Sequence, residues 1–180
     1  SYAEEDCFLL GERLLVAPVL DRGATTRRVW LPDCPEGWYD LWTGQHHAGG
    51  ETIDVDAPLG RCPAFLRGGS ILPLGPAPST ANGPLTLRLA LEEGEAATLD
   101  LYDDDGASVL ETPLTPPCLL SISAERHDGT VTLDVSLSGT RPPRWPELRF
   151  EDAAGQPIAV NLRGGEAIDA LALPGLISGE

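Results

Sequence analysis

The sequence predicts an all-β chain folded as two consecutive antiparallel β-sandwiches. Three observations carry this. Over residues 8–74 the apolar runs are short and are broken at near-regular intervals by Gly and Pro turns, which leaves no room for helices of ordinary length. Apolar and polar residues alternate in Thr52-Ile53-Asp54-Val55-Asp56 and again through Thr130-Val131-Thr132-Leu133-Asp134-Val135-Ser136-Leu137, the pattern of a sheet buried on one face. Between the two sets lies Gly75-Pro76-Ala77-Pro78-Ser79-Thr80-Ala81-Asn82-Gly83-Pro84, polar, Pro-rich and without periodicity, as a linker or long surface loop requires.

Taken in order, the runs place strands near 14–20, 27–31, 37–41, 52–56, 64–67 and 70–73 before the Pro-rich segment. After it they fall near 85–91, 97–102, 107–110, 118–125, 130–137, 147–151 and 157–162. Asp128-Gly129, between two alternating runs, reads as a hairpin turn. The expected division is a junction over 1–20, a proximal sandwich over 21–84 and a distal β-domain over 85–180. Residues 163–180 carry too few signals to assign.

Composition narrows the function classes. Twelve basic against twenty-eight acidic residues leave a net charge of −16, which opposes binding to phosphate backbones and anionic lipid surfaces, so neither nucleic acid nor membrane is expected as a partner. Neither end carries a signal-peptide pattern, and no apolar run approaches the roughly 20 residues that span a bilayer. Cys7, Cys34, Cys62 and Cys118 have no CxxC spacing, so neither zinc nor a redox pair is indicated; buried free thiols in a reducing cytoplasm are expected, while the even count also permits two disulfides. All twelve basic residues are Arg, a bias read as a GC-rich bacterial genome, and the absence of Met is read as the mark of a fragment, a cleavage product or a processed chain.

An ordered series of motifs adds a family. Phe8-Leu9-Leu10-Gly11, Leu14-Leu15-Val16-Ala17-Pro18-Val19, Gly23-Ala24 and Val29-Trp30-Leu31-Pro32 come first. Trp38-Tyr39-Asp40, Trp42-Thr43-Gly44, Gly49-Gly50, Ala57-Pro58-Leu59, Pro63, Phe65 and Arg67-Gly68-Gly69-Ser70-Ile71 with Pro73 follow. The series resembles the end of the barrel and the adjoining C-terminal β-domain of the α-glucosidases and α-xylosidases of glycoside hydrolase family 31. Leu85-Thr86-Leu87-Arg88-Leu89 and Leu101-Tyr102-Asp103-Asp104-Asp105-Gly106 extend the resemblance to the start of the distal domain. Beyond residue 112 the match is by strand pattern alone.

The resemblance implies that the nucleophile, the acid/base carboxylate and most sugar-binding residues lie on barrel strands upstream of the matching segment. Such a retaining enzyme needs two carboxyl groups about 5 Å apart on a rigid scaffold, and the catalytic (β/α)8 barrel that would hold them is not legible in this chain. The expectation is therefore a non-catalytic scaffold region of a retaining α-glycosidase. Its partner would be the catalytic barrel, and it would have no catalytic, cofactor-binding or metal-binding residue of its own. An autonomous carbohydrate-binding sandwich or a protein-interaction module is the alternative.

Several residues invite chemistry. Asp103, Asp104, Asp105 and Gly106 are spaced like part of a calcium loop, yet aligning Gly106 with its sixth position puts Leu101 first and Thr112 last, neither a carboxylate; a tight turn whose Asp side chains bond local amides is expected. His46 and His47 are adjacent, so on an extended chain they point apart and do not chelate one ion; solvated loop histidines are expected. Trp30, Trp38, Tyr39 and Trp42 offer flat faces for sugar stacking, but their strand positions favour core or interface packing. Arg67-Gly68-Gly69-Ser70 lacks the Lys and the helix of a phosphate loop and reads as a turn needing positive φ. No Gly-x-Ser-x-Gly elbow is present.

Overall fold

The computed structural model describes residues 6–75, 83–103, 118–139 and 143–163. The described residues form fourteen strands and no helix. Those of the first half are β1 (Phe8–Leu10), β2 (Leu14–Val16), β3 (Thr26–Trp30), β4 (Trp38–Asp40), β5 (His46–His47), β6 (Thr52–Asp56), β7 (Ala64–Arg67) and β8 (Ser70–Leu74). The second half adds β9 (Leu85–Ala90), β10 (Ala96–Asp103), β11 (Cys118–His127), β12 (Thr130–Ser138), β13 (Leu148–Glu151) and β14 (Val160–Leu162). The all-β expectation holds. The strand expected near 107–110 and most of the Pro-rich segment lie outside the described residues.

A five-stranded sheet in the order β1-β2-β7-β4-β5 faces a two-stranded ribbon, β3-β6. Between them Leu15, Val29, Leu31, Trp38 and Phe65 form a buried cluster, with Ile53 and Val55 packed against it. Alternation decides which side chains enter it. Trp38 and Phe65 point toward the ribbon, while their neighbours Tyr39 and Leu66 point to the opposite face and join a second cluster with Ala90 and Ala153. Trp38, Tyr39 and Asp40 are all buried because both faces of β4 are covered.

The second body packs the sheet β13-β9-β8 against the sheet β10-β11-β12-β14. Its core takes every second residue: Leu85, Leu87 and Leu89 from β9, Leu120, Ile122 and Ala124 from β11, Val131, Leu133 and Val135 from β12. Asp128 (φ 51) and Gly129 (φ 74) turn the β11–β12 hairpin as the Asp-Gly pair predicts. Two pairings are parallel, β13 with β9 and β12 with β14. Each joins strands separated by a long stretch of chain, the condition a parallel neighbour needs.

Packing partners change at Gly68-Gly69. Phe65 and Leu66 serve the first body, whereas Ile71 enters the core of the second, and β8 pairs with β9 from Ser70↔Ala90 to Leu74↔Thr86. Gly69 takes φ +67 and donates its N–H to the Ala90 carbonyl at 2.8 Å, so this segment is a turn of positive φ. The two bodies are then joined side by side. Tyr39 donates its hydroxyl to Glu92 at 2.9 Å, and Arg88 reaches the Leu41 carbonyl at 3.1 Å while holding Glu151 at 2.9 Å.

Candidate docking face

The first strand is the least covered part of the fold. Phe8, Leu9 and Leu10 are 52%, 50% and 64% exposed, although successive residues of a strand face opposite sides of a sheet. Both faces of β1 are therefore left at least half open. Among the described residues its outer edge has no strand neighbour, because β1 ends the five-stranded sheet and pairs with β2, from Phe8↔Val16 to Leu10↔Leu14. An apolar edge strand with free N–H and C=O groups is a surface that natural proteins cover. The sequence carried the signal, three consecutive apolar residues without alternation, but the expected strands began only at residue 14.

At one end of the same sheet, Leu20, Trp42 and Leu59 are also exposed. The Trp42 indole is held rigidly: its N–H donates to the Cys62 carbonyl at 2.7 Å, its main-chain N–H donates to Asp40 Oδ1 at 2.7 Å, and the Arg61 guanidinium lies 5.3 Å from the ring centroid. The aromatic residues thus divide. Trp38 and Tyr39 are buried as expected, whereas Trp30 and Trp42 are 37% and 50% exposed, because Trp30 points away from the cluster that takes Val29 and Trp42 lies in the turn after β4.

His46 and His47 form β5 against Trp38 and Tyr39, rather than a solvated loop. The His46 ring lies 4.8 Å from that of Tyr39 and pairs with the Glu36 carbonyl at 3.1 Å, and His47 packs edge-on to Phe65. Asp103 is completely buried and binds both the main chain and the guanidinium of Arg144, a partner distant in sequence where local amides were expected. Asp104, Asp105 and Gly106 lie outside the described residues. Cys34 and Cys118 are buried, Cys7 is half-buried and Cys62 is exposed, so burial is not common to the four cysteines. Burial, and then its bond to Glu36 at 3.1 Å, pushes the Cys34 thiol above its ordinary range and keeps it protonated.

Two clefts follow the junction of the bodies. One of about 430 Å³ is lined by Glu12, Arg13, Glu36, Arg67, Gly69 and Glu95, the other of about 370 Å³ by Tyr39, Gly44, Glu92, Arg126 and Ala153 among others. Glu93, His127 and Asp128, which no sequence spacing brings together, place three donor atoms within 4.8 Å of one another at two adjacent turns. Glu93 is already engaged there, accepting from the Asp128 and Gly129 amides, and those bonds hold its carboxyl below the usual carboxylate range. Among the described residues no helix is long and apolar enough to cross a membrane.

The features define a class first: among the described residues, an all-β pair of packed bodies with an exposed apolar edge strand. Comparison with known proteins then gives the family. Residues 1–72 match the glycosyl hydrolase family 31 C-terminal domain, and the chain is a C-terminal region of that family. It is 40% identical to mouse neutral alpha-glucosidase C over 113 residues, 60% of this chain and 13% of that protein. Over 169 residues, 92% of this chain and 21% of the relative, it is 30% identical to alpha-glucosidase 2 of Bacillus thermoamyloliquefaciens. The crystal structure of a family 31 alpha-xylosidase from Xanthomonas citri superposes with a TM-score of 0.67 at 28% identity, covering 84% of this chain and 17% of that one. The chain thus spans about one fifth or less of the length of these proteins.

Proposed function

We propose that this chain is the non-catalytic, scaffold-forming C-terminal region of a retaining α-glycosidase, and that its task is to pack against the catalytic barrel. The observation that carries the reading is β1, apolar, half-exposed on both faces and, among the described residues, without a strand neighbour on its outer edge. An exposed apolar edge of that kind is a template for pairing or packing with another surface. The similar proteins are α-glucosidases and an α-xylosidase of far greater length, which supports a barrel as the covering partner and hydrolysis of α-glucosides or related α-glycosides as the activity of the whole. That chemistry would use two carboxylates carried by the barrel. The Arg-only basic composition supports a bacterial setting, and the free thiols of Cys7, Cys34 and Cys62 support a cytoplasmic one.

The test is twofold. The purified chain should leave a chromogenic α-glucoside intact; a hydrolysis rate that follows the protein through successive chromatographic steps overturns the reading. In the longer polypeptide carrying this region, the amides of Phe8–Leu10 should exchange more slowly than in the 180-residue chain. A carbohydrate-binding reading draws on the half-exposed Trp42 ring. Under the scaffold reading, titration with an α-glucan leaves the Trp fluorescence unchanged.

A further inference from the structure

The strand register extends the uncovered edge into a larger surface. Across the five-stranded sheet one row runs Phe8↔Val16↔Ala64, and Ala64 accepts the Leu41 N–H at 2.9 Å. The next row outward joins Ala17 to Pro63 at 2.9 Å, with the Trp42 indole fixed on the neighbouring Cys62 carbonyl. The chain leaving Ala17 leads to Leu20, and the chain entering Pro63 comes from Leu59, which is completely exposed. Phe8 and Trp42 therefore lie at the same end of one sheet, and Leu20 and Leu59 lie on the two chain segments that leave and enter that end. Isolated exposed apolar residues need no explanation, but several brought from four chain segments to one end form a patch.

We propose that this rim is the second half of the docking face, that its occupant is an apolar surface of the catalytic portion preceding the region in family 31 chains, and that Trp42 is its anchor. The proposal rests on the scaffold reading and goes further in saying which residues make contact. Trp42 has the properties of an interface hot spot: a large ring whose N–H is bonded and whose main chain is anchored before any partner arrives, with an Arg beside it to meet an acceptor on the partner's rim. Continuity with β1 and the small share of the relatives' length that this chain spans argue for that occupant over a second copy.

Cys62 is a built-in reporter, because it is the exposed cysteine of the four and its carbonyl holds Trp42. Its alkylation by N-ethylmaleimide, read by peptide mass spectrometry, should be about tenfold slower in the longer polypeptide than in the 180-residue chain. Leu59→Arg should restore the fast rate and lower the unfolding midpoint of the longer polypeptide. In the 180-residue chain, where Leu59 touches only solvent, the same substitution should leave the unfolding midpoint unchanged. Equal alkylation rates in the two proteins, or equal effects of Leu59→Arg on both, overturn the proposal. If the Phe8–Leu10 amides are nonetheless protected in the longer polypeptide, docking through β1 survives and only the rim fails. If those amides exchange alike in both, the scaffold reading fails too.

Discussion

Gly44 tests whether the two bodies are one packed unit. It sits in the turn after β4 at φ +71, and a Cβ built there would lie 2.3 Å from Ala154 Cβ and 2.7 Å from Ala154 Cα, in the turn after β13. Gly44→Ala therefore adds two costs. An L-residue in the left-handed region loses about 1–2 kcal/mol, and forcing a methyl into a filled contact costs about 1–3 kcal/mol more, for a total of about 2–5 kcal/mol. At a chain of this size that lowers the unfolding midpoint by roughly 5–15 °C. Gly50 supplies the control, with φ +77 but only Asp33 Oδ1, at 3.8 Å, near its would-be Cβ. Gly50→Ala should show the backbone cost alone, about 1–2 kcal/mol. Ala154→Gly should rescue Gly44→Ala only in part, since the Ala154 main chain stays within 3.0 Å of the added methyl. Urea unfolding followed by Trp fluorescence measures all four proteins. If Gly44→Ala costs no more than Gly50→Ala, the contact between the bodies is not packed as described and the argument fails.

Three further outcomes are expected. Glu93 holds the Asp128 and Gly129 amides, and its folded pKa lies below the unfolded one; its contribution is present above the ordinary carboxylate range and is lost as pH falls through the depressed value, so acid should speed exchange of those amides and Glu93→Gln should abolish that pH dependence. Burial, followed by the bond to Glu92, raises the Tyr39 phenol far above its ordinary value of 10, so its contribution is full below pH 10 and is lost as pH rises further; Tyr39→Phe should cost about 1 kcal/mol at neutral pH but soften alkaline unfolding. Arg144→Ala should destabilise by about 2–3 kcal/mol, because the buried Asp103 carboxylate loses its charged partner, the half-exposed guanidinium discounting the full value for a buried pair. Asp103→Asn, which keeps an acceptor for the Arg144 amide, should cost about 1 kcal/mol less in the same denaturation assay.

Much of the fold was legible before any coordinates, and the physical reason is period. Val131, Leu133 and Val135 stand on one side of a two-residue repeat with Thr132 and Asp134 on the other, so their burial follows once one face is covered. Asp128-Gly129 predicted its hairpin because the turn needs positive φ at both positions. The family was legible through the ordered series of turn and junction residues from Gly11 to Pro73.

Other features required the assembled chain. Nothing in the alternation of Trp38 and Tyr39 says that both faces of β4 are covered, since that depends on a second body packing against the sheet. The Pro-rich segment marks a break in periodicity, but hydrogen bonds from β8 to β9 span it, because pairing is set by edges available in space rather than by proximity to a linker. Asp103 meets Arg144, and Glu93 meets the hairpin turn, across long stretches of chain that no local spacing encodes. The docking face is the fullest case. Phe8, Leu20, Trp42 and Leu59 are unremarkable apolar residues in the text of the chain, and only strand register carries them to one end of one sheet. Local periodicity determined which faces are apolar; tertiary pairing decided which of those faces were left uncovered.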